Sequence, residues 1–250
     1  LILTLGVSLC GAAAASDLEK EQRWAEQIVD ALLDGEAVYL NDGRTEFLAL
    51  ETESTAGDSR RAAIVMHGTG VHPNWPTVVQ PLRVGLAEAG WHTLSIQMPV
   101  LPNEAEHAAY ADIYDWVPGR IDAGIRHLRD QGFETIVLIG HSQGSTMAVY
   151  YLSREPQPVE GFVAVGMSGG IAGGPMDTLA QLPALAVPTL DLYGGEDLPE
   201  VLDSAEERAT QARKMGGDYS QQVVAGADHF FDGEEAELLE AVNAWLATRY

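Results

Sequence analysis

The sequence predicts an α/β fold, a mostly parallel, doubly wound sheet with helices on both faces. Three observations predict it. Short runs rich in Val, Ile and Leu alternate with helix-length amphipathic segments along most of the chain. Several of these runs are apolar at successive positions, the pattern of strands buried on both sides. Polar residues capable of chemistry then fall just beyond the ends of those runs, where open parallel sheets bind ligands.

Ser16-Asp17 can cap a helix reaching to about Leu33, in which Trp24, Ile28 and Leu32 recur every four residues. Glu36 to Leu40 and Glu46 to Leu50 alternate around Asn41-Asp42-Gly43, the signature of a hairpin. Ala62 to Met66 is a strand, Val78 to Ala89 a helix, Trp91 to Ile96 a strand, and Val117 to Arg129 a helix stopped near Gly132. Thr135 to Ile139 is the next strand and Ser145 to Leu152 the helix behind it. Strands over Val159 to Val165, Pro188 to Tyr193 and Gln221 to Val224, with helices over Ala205 to Met215 and Glu235 to Leu246, complete the series. Pro99 to Trp116 and Ser168 to Val187 are left as connections, either of which could fold over the centre described next.

That centre is Gly140-His141-Ser142-Gln143-Gly144, placed between a strand and a helix. A G-x-S-x-G at such a junction makes a sharp turn that lifts the serine hydroxyl clear of the sheet, so Ser142 is the candidate nucleophile. A serine hydroxyl is a weak nucleophile near neutral pH and requires a base within reach and a third group to orient that base. His229, on a loop beyond the Gln221 to Val224 strand, is the candidate base. Asp197, in the turn after Pro188 to Tyr193, is the candidate orienting carboxylate; Glu196 beside it and Asp191 within the strand are the alternatives. The oxyanion donors expected are the Gln143 N–H and the Thr69 N–H in His67-Gly68-Thr69-Gly70, with Gly70 one residue away as the second choice. His67 is expected to brace that loop, His141 to pack or line the site, and Asp228 to be a turn carboxylate.

The motifs HGTG, GHSQG, GGED and GADH, in that order across residues 62 to 250, resemble the α/β-hydrolase superfamily. The order Ser142, Asp197, His229 is the order of that superfamily's triad. Around His72-Pro73-Asn74-Trp75-Pro76 and Gly90 to Pro99 the chain is similar to a bacterial envelope family of unknown function. The resemblance implies a serine hydrolase acting on an acyl ester, thioester or amide of a small molecule. An acyltransferase with the same triad, or a non-catalytic envelope binding module, are the alternatives.

Residues 1–15 carry no charge and end in Ala13-Ala14-Ala15, the pattern of a signal-peptide core with a cut before Ser16. Residues 16–250 are then expected to form one domain, exported and periplasmic, with no stable membrane insertion after processing. Leu9 stands before Cys10 where a lipoprotein signal requires a small residue, so lipid anchoring is not expected. Cys10 is the only cysteine, which leaves no disulfide in the processed chain.

With 37 acidic against 14 basic residues, the net charge of −23 repels phosphates and anionic lipid headgroups, so nucleic acid is not an expected partner. The histidines show no paired ligand spacing and no phosphate-binding glycine motif opens a helix; neither metal nor cofactor is expected.

Overall fold

The structure, a computed structural model, describes residues 15–57, 60–155, 158–214 and 218–250. The proposed signal segment, apart from Ala15, and the expected helix end at Met215 lie outside the described residues.

Eight strands form one sheet in the order β1-β2-β4-β3-β5-β6-β7-β8. Strands β1 (Glu36–Asn41) and β2 (Glu46–Thr52) are an antiparallel hairpin, and β2 runs antiparallel to β4 (His92–Ile96). Every pairing from β4 through β3 (Arg61–Met66), β5 (Thr135–His141), β6 (Gly161–Val165), β7 (Thr189–Gly194) and β8 (Tyr219–Val224) is parallel. The hairpin turn is made by its side chains: Asn41 Oδ1 accepts from the Gly43 N–H and Asp42 Oδ1 from those of Arg44 and Thr45, each at 2.8 Å.

Both faces of the sheet are covered, as the uninterrupted apolar runs require. Ile64, Leu94, Ile136 and Leu138 point into one core with α3 (Val117–Asp130) and α4 (Gln143–Leu152). Their strand neighbours Val65, Val137, Ile139 and Leu192 point into a second core with α2 (Val79–Glu88) and α7 (Glu235–Ala247). Helix α1 (Leu18–Ala31) is capped by Asp17, which accepts from the Lys20 N–H at 3.0 Å, and lays Ala25 and Ile28 on Leu48 and Leu50 of β2.

Two connections are more ordered than the sequence pattern predicts. Residues His107–Trp116 form a 3₁₀ run, and Thr178–Gln181 form the short helix α5. Tyr110, Tyr114 and Trp116 are buried in the first core instead of folding over Ser142, because their rings find more apolar surface there. Helix α6 (Pro199–Ala212) begins six residues before the expected start, its proline occupying the first turn where no backbone donor is needed. Its acidic residues Glu200, Asp203, Glu206 and Glu207 are exposed, as expected of a solvated face.

Topology positions the site. From β3 the chain passes to β4 on one side and, after α3, to β5 on the other, so the loops leaving β3 and β5 diverge and open a crevice at the carboxyl ends of the strands. The His67 to Gly70 loop leaves β3 there, and Ser142 follows β5.

Candidate active site

Strand β5 ends at His141 and α4 begins at Gln143, leaving Ser142 alone to make the turn at φ 53°, ψ −120°. Such a conformation in a non-glycine residue costs about 1–3 kcal/mol and persists only where its surroundings hold it. The Ser142 N–H donates to Val165 O at 2.8 Å, and Ser145 Oγ donates to Gly140 O at 2.6 Å. The flanking glycines are demanded by close approach. A Cβ on Gly140 would stand 2.6 Å from the backbone of Gly144, and one on Gly144 would stand 2.6 Å from the carbonyl oxygens of Met66 and His67.

His229 and Asp197 meet beside this turn. His229 Nδ1–H donates to Asp197 Oδ1 at 2.5 Å, with both side chains buried. The carboxylate is held in turn by the Leu198 N–H on Oδ1 at 2.7 Å and the Gly194 N–H on Oδ2 at 3.2 Å. With Nδ1 as donor, Nε2 of the neutral ring is left as the basic nitrogen. Ser142 and His229 line one cavity with Gln143, Thr146 and Gly166. No hydrogen bond joins the Ser142 hydroxyl to His229 among the described residues, a common state of such pairs without substrate.

The other carboxylates are engaged elsewhere. Asp191 is wholly buried against Arg208, with Nε to Oδ2 at 2.8 Å, and also accepts from Tyr219 Oη and Gln221 Nε2. Glu196 is exposed. Asp228 Oδ1 accepts from the Phe230 N–H at 2.8 Å and shapes the turn that carries His229.

The Gln143 and Thr69 amides have no acceptor among the described hydrogen bonds, and Gln143 is the first residue of α4, where the helix dipole favours negative charge. Their side chains are joined, Thr69 Oγ1 donating to Gln143 Oε1 at 2.6 Å. The Gly70 amide likewise has no acceptor among the described hydrogen bonds and stands beside Thr69 as the second choice. A Cβ on Gly68 would lie 3.0 Å from Ser142 Cβ, so the β3 loop passes directly over the serine.

Two buried histidines support this geometry. His67 Nε2 accepts from the Met98 N–H and from Gln97 Nε2, both at 2.9 Å, which leaves Nδ1–H to donate to Gly68 O at 2.9 Å. Because a peptide is planar, holding the Gly68 carbonyl also aims the Thr69 N–H. Burial pushes the His67 ring down to about 3, so it stays neutral in this role. His141 Nε2–H donates to the His229 carbonyl at 3.0 Å, and burial lowers its ring to about 4. Sequence reasoning gave His141 a packing or site-lining role; its position beside Ser142 was legible, its tether to His229 was not.

The wall opposite comes from residues without a motif. Ser168, Gly170 and Met176, from the connection after β6, and Glu200 and Val201 of α6 line the same cavity, with His107 at its mouth.

The model of a family described as a protein of unknown function, DUF3530, matches residues 11–114 and 104–248. The chain belongs to that family. Its fold is that of the α/β-hydrolases. Est1E from Butyrivibrio proteoclasticus superposes with a TM-score of 0.69 at 14% identity, covering 85% of this chain and 98% of that one. A dienelactone hydrolase from Anabaena variabilis gives 0.69 at 21% identity, with 86% and 97% covered. Lipase LipV of Mycobacterium tuberculosis is 25% identical over 168 residues, 64% of this chain. The chain spans 59% of the length of that relative.

Proposed function

We propose that this α/β-hydrolase is a serine esterase whose single unit, residues 16–250, cleaves a small-molecule acyl ester through an acyl-serine intermediate. The observation that carries the reading is the 2.5 Å contact of His229 Nδ1 with Asp197, made beside a strained Ser142 on the same cavity. In the proposed reaction His229 Nε2 takes the Ser142 proton as Oγ attacks the acyl carbon. The N–H groups of Gln143 and Thr69 hold the oxyanion. The tetrahedral adduct collapses as the alcohol leaves with the proton from His229. Water, deprotonated by the same ring, then attacks the acyl-serine, and the acid departs as Ser142 regains its proton.

Esterase and lipase neighbours support ester hydrolysis over thioester, amide or transfer chemistry. The uncharged run at residues 1–15 supports export to the periplasm as part of this proposal. Among the described residues no helix is long and apolar enough to cross a membrane.

A fluorophosphonate probe tests the reading. The purified protein is expected to label at one serine, and Ser142→Ala to abolish labelling and lower ester turnover by about 10⁴-fold or more while circular dichroism stays unchanged. A binding protein on the same fold would stay unlabelled in both forms, and retained activity in the variant would remove Ser142 from the chemistry.

A further inference from the structure

Larger hollows lie away from Ser142. One of ≈ 450 Å³ lies between α1 and the β1–β2 hairpin, and one of ≈ 460 Å³ beside Val159 and Tyr250. The cavity at the serine is ≈ 30 Å³. Pockets that enclose drug-sized ligands run to roughly 300–1,000 Å³, whereas a cavity needs about 10–15 Å³ to admit one water, so the space at Ser142 admits about two or three water-sized groups. The space beside Ser142 therefore holds a group of a few atoms.

The wall that limits it is built from anchored backbone. Gly169 N–H donates to Ser204 Oγ at 2.9 Å, Leu179 N–H to Gly169 O at 3.2 Å, and Ile171 N–H to Met176 O at 2.9 Å. Gly170 lies so close to this turn that a Cβ there would stand 1.9 Å from Met176 O. Met176 and Val201 are themselves buried, and Thr146 Oγ1 is shared between Gln143 O at 3.0 Å and the Tyr114 hydroxyl at 2.8 Å. Widening the cavity by more than a side-chain shift breaks several of these bonds together. At its mouth stands Glu200, exposed and acidic, on a surface already strongly negative. An acyl group ending in a carboxylate meets like charge there, which disfavours its approach.

We propose that the acyl site takes a two- or three-carbon, uncharged acyl group, so that the substrates are acetyl or propionyl esters. The inference rests on the esterase reading and adds what limits the acyl chain. The alcohol portion is not confined in this way. It must lie against His229, whose neighbour Phe230 is 44% exposed at the rim.

The experiment measures kcat/KM for p-nitrophenyl acetate, propionate, butyrate, hexanoate and octanoate, with fluorophosphonate labelling in parallel. The expected result is a fall of about 1,000-fold or more from acetate to hexanoate, each of the methylenes beyond propionyl being worth about tenfold or more where it cannot be housed. Met176→Ala is expected to shrink the acetate-to-hexanoate ratio at least about tenfold by opening the wall. Glu200→Gln is expected to raise the rate on an aryl hemisuccinate relative to acetate. Labelling at Ser142 with hexanoate or octanoate preferred by the unmodified protein would overturn the acyl-size proposal and leave the esterase reading standing. No labelling and no ester cleaved would overturn both.

Discussion

His229 reaches its place through a glycine. Gly166, at φ 60°, leaves only enough room for the ring: a Cβ there would stand 3.0 Å from both Nδ1 and Cε1 of His229 and 3.5 Å from Asp197 Oδ2. Gly166→Ala is therefore expected to displace the imidazole from Ser142 and Asp197 at once. A shift on the order of 1 Å in such a group costs about 100-fold in turnover, so the few tenths of an ångström required here are expected to cost less, about tenfold. The strained backbone itself costs about 1–2 kcal/mol, so the melting temperature should fall only a few degrees. Steady-state kinetics beside thermal denaturation separates the two, and an unimpaired kcat would mean that His229 has slack. The sequence showed Ser142, Asp197 and His229 as candidates because each follows a strand at a turn. It could not show Gly166 guarding the ring, since that contact joins residues 63 positions apart.

At the scale of elements, buried charge pairs hold the pieces in register. Arg208 of α6 is wholly buried against Asp191 of β7 and also donates to Val201 O at 2.7 Å and Ser204 Oγ at 2.7 Å. Ser204 Oγ accepts from Gly169, so this one guanidinium connects β7, α6 and the wall of the acyl site. Asp191→Leu is expected to cost about 3–5 kcal/mol in urea unfolding, because it strands a buried cation. A loss below about 1 kcal/mol would show that water reaches Arg208. Arg120 of α3 does the same work at the other edge. It donates to Glu21 of α1 at 2.9 Å, to Asp42 in the hairpin turn at 2.8 Å and to Gln97 O at 3.0 Å. Gln97 in turn donates to His67, which links the first helix to the oxyanion loop through three side chains. Strands and helices were legible in the sequence from their apolar spacing. The run at His107–Trp116 was read as a connection, although its buried Tyr110, Ile113 and Tyr114 fall at i, i+3 and i+4, a helical spacing the sequence did carry.

For the whole molecule, acid is the weak side of stability. His67 and His141 are held at about 3 and about 4 against an ordinary 6.5, so the native protein refuses protons that the unfolded chain binds. Stability is then unaffected above pH 6.5 and falls as pH drops from 6.5 toward the folded values, by up to about 1.4 kcal/mol per pH unit for each ring. Glu51 adds a lower window. Hydrogen bonds from His92 and His127 outweigh its burial and hold its carboxyl at about 2, so its contribution is present above pH 4.5 and is lost as pH falls toward 2. Denaturant unfolding at pH 7.5 and pH 5 measures the first window. His141→Gln keeps an N–H donor for the His229 carbonyl and is expected to reduce the loss between those two pH values by about 2 kcal/mol. Equal losses in both proteins would show that His141 titrates normally.

The sequence alone determined what local chemistry dictates. Period-two and period-3.6 patterns marked the strands and helices, and glycines flanking Ser142 marked a turn that only a strand-to-helix junction uses. The order of the motifs indicated the superfamily. Tertiary structure decided which groups face one another. It set β3 between β4 and β5 and so opened the crevice, brought Asp197 and not Asp191 or Glu196 to His229, and closed the acyl wall with Met176 and Val201. Those outcomes depend on contacts between residues far apart in the chain, formed where burial of apolar surface and pairing of charge are satisfied together, and no local pattern encodes them.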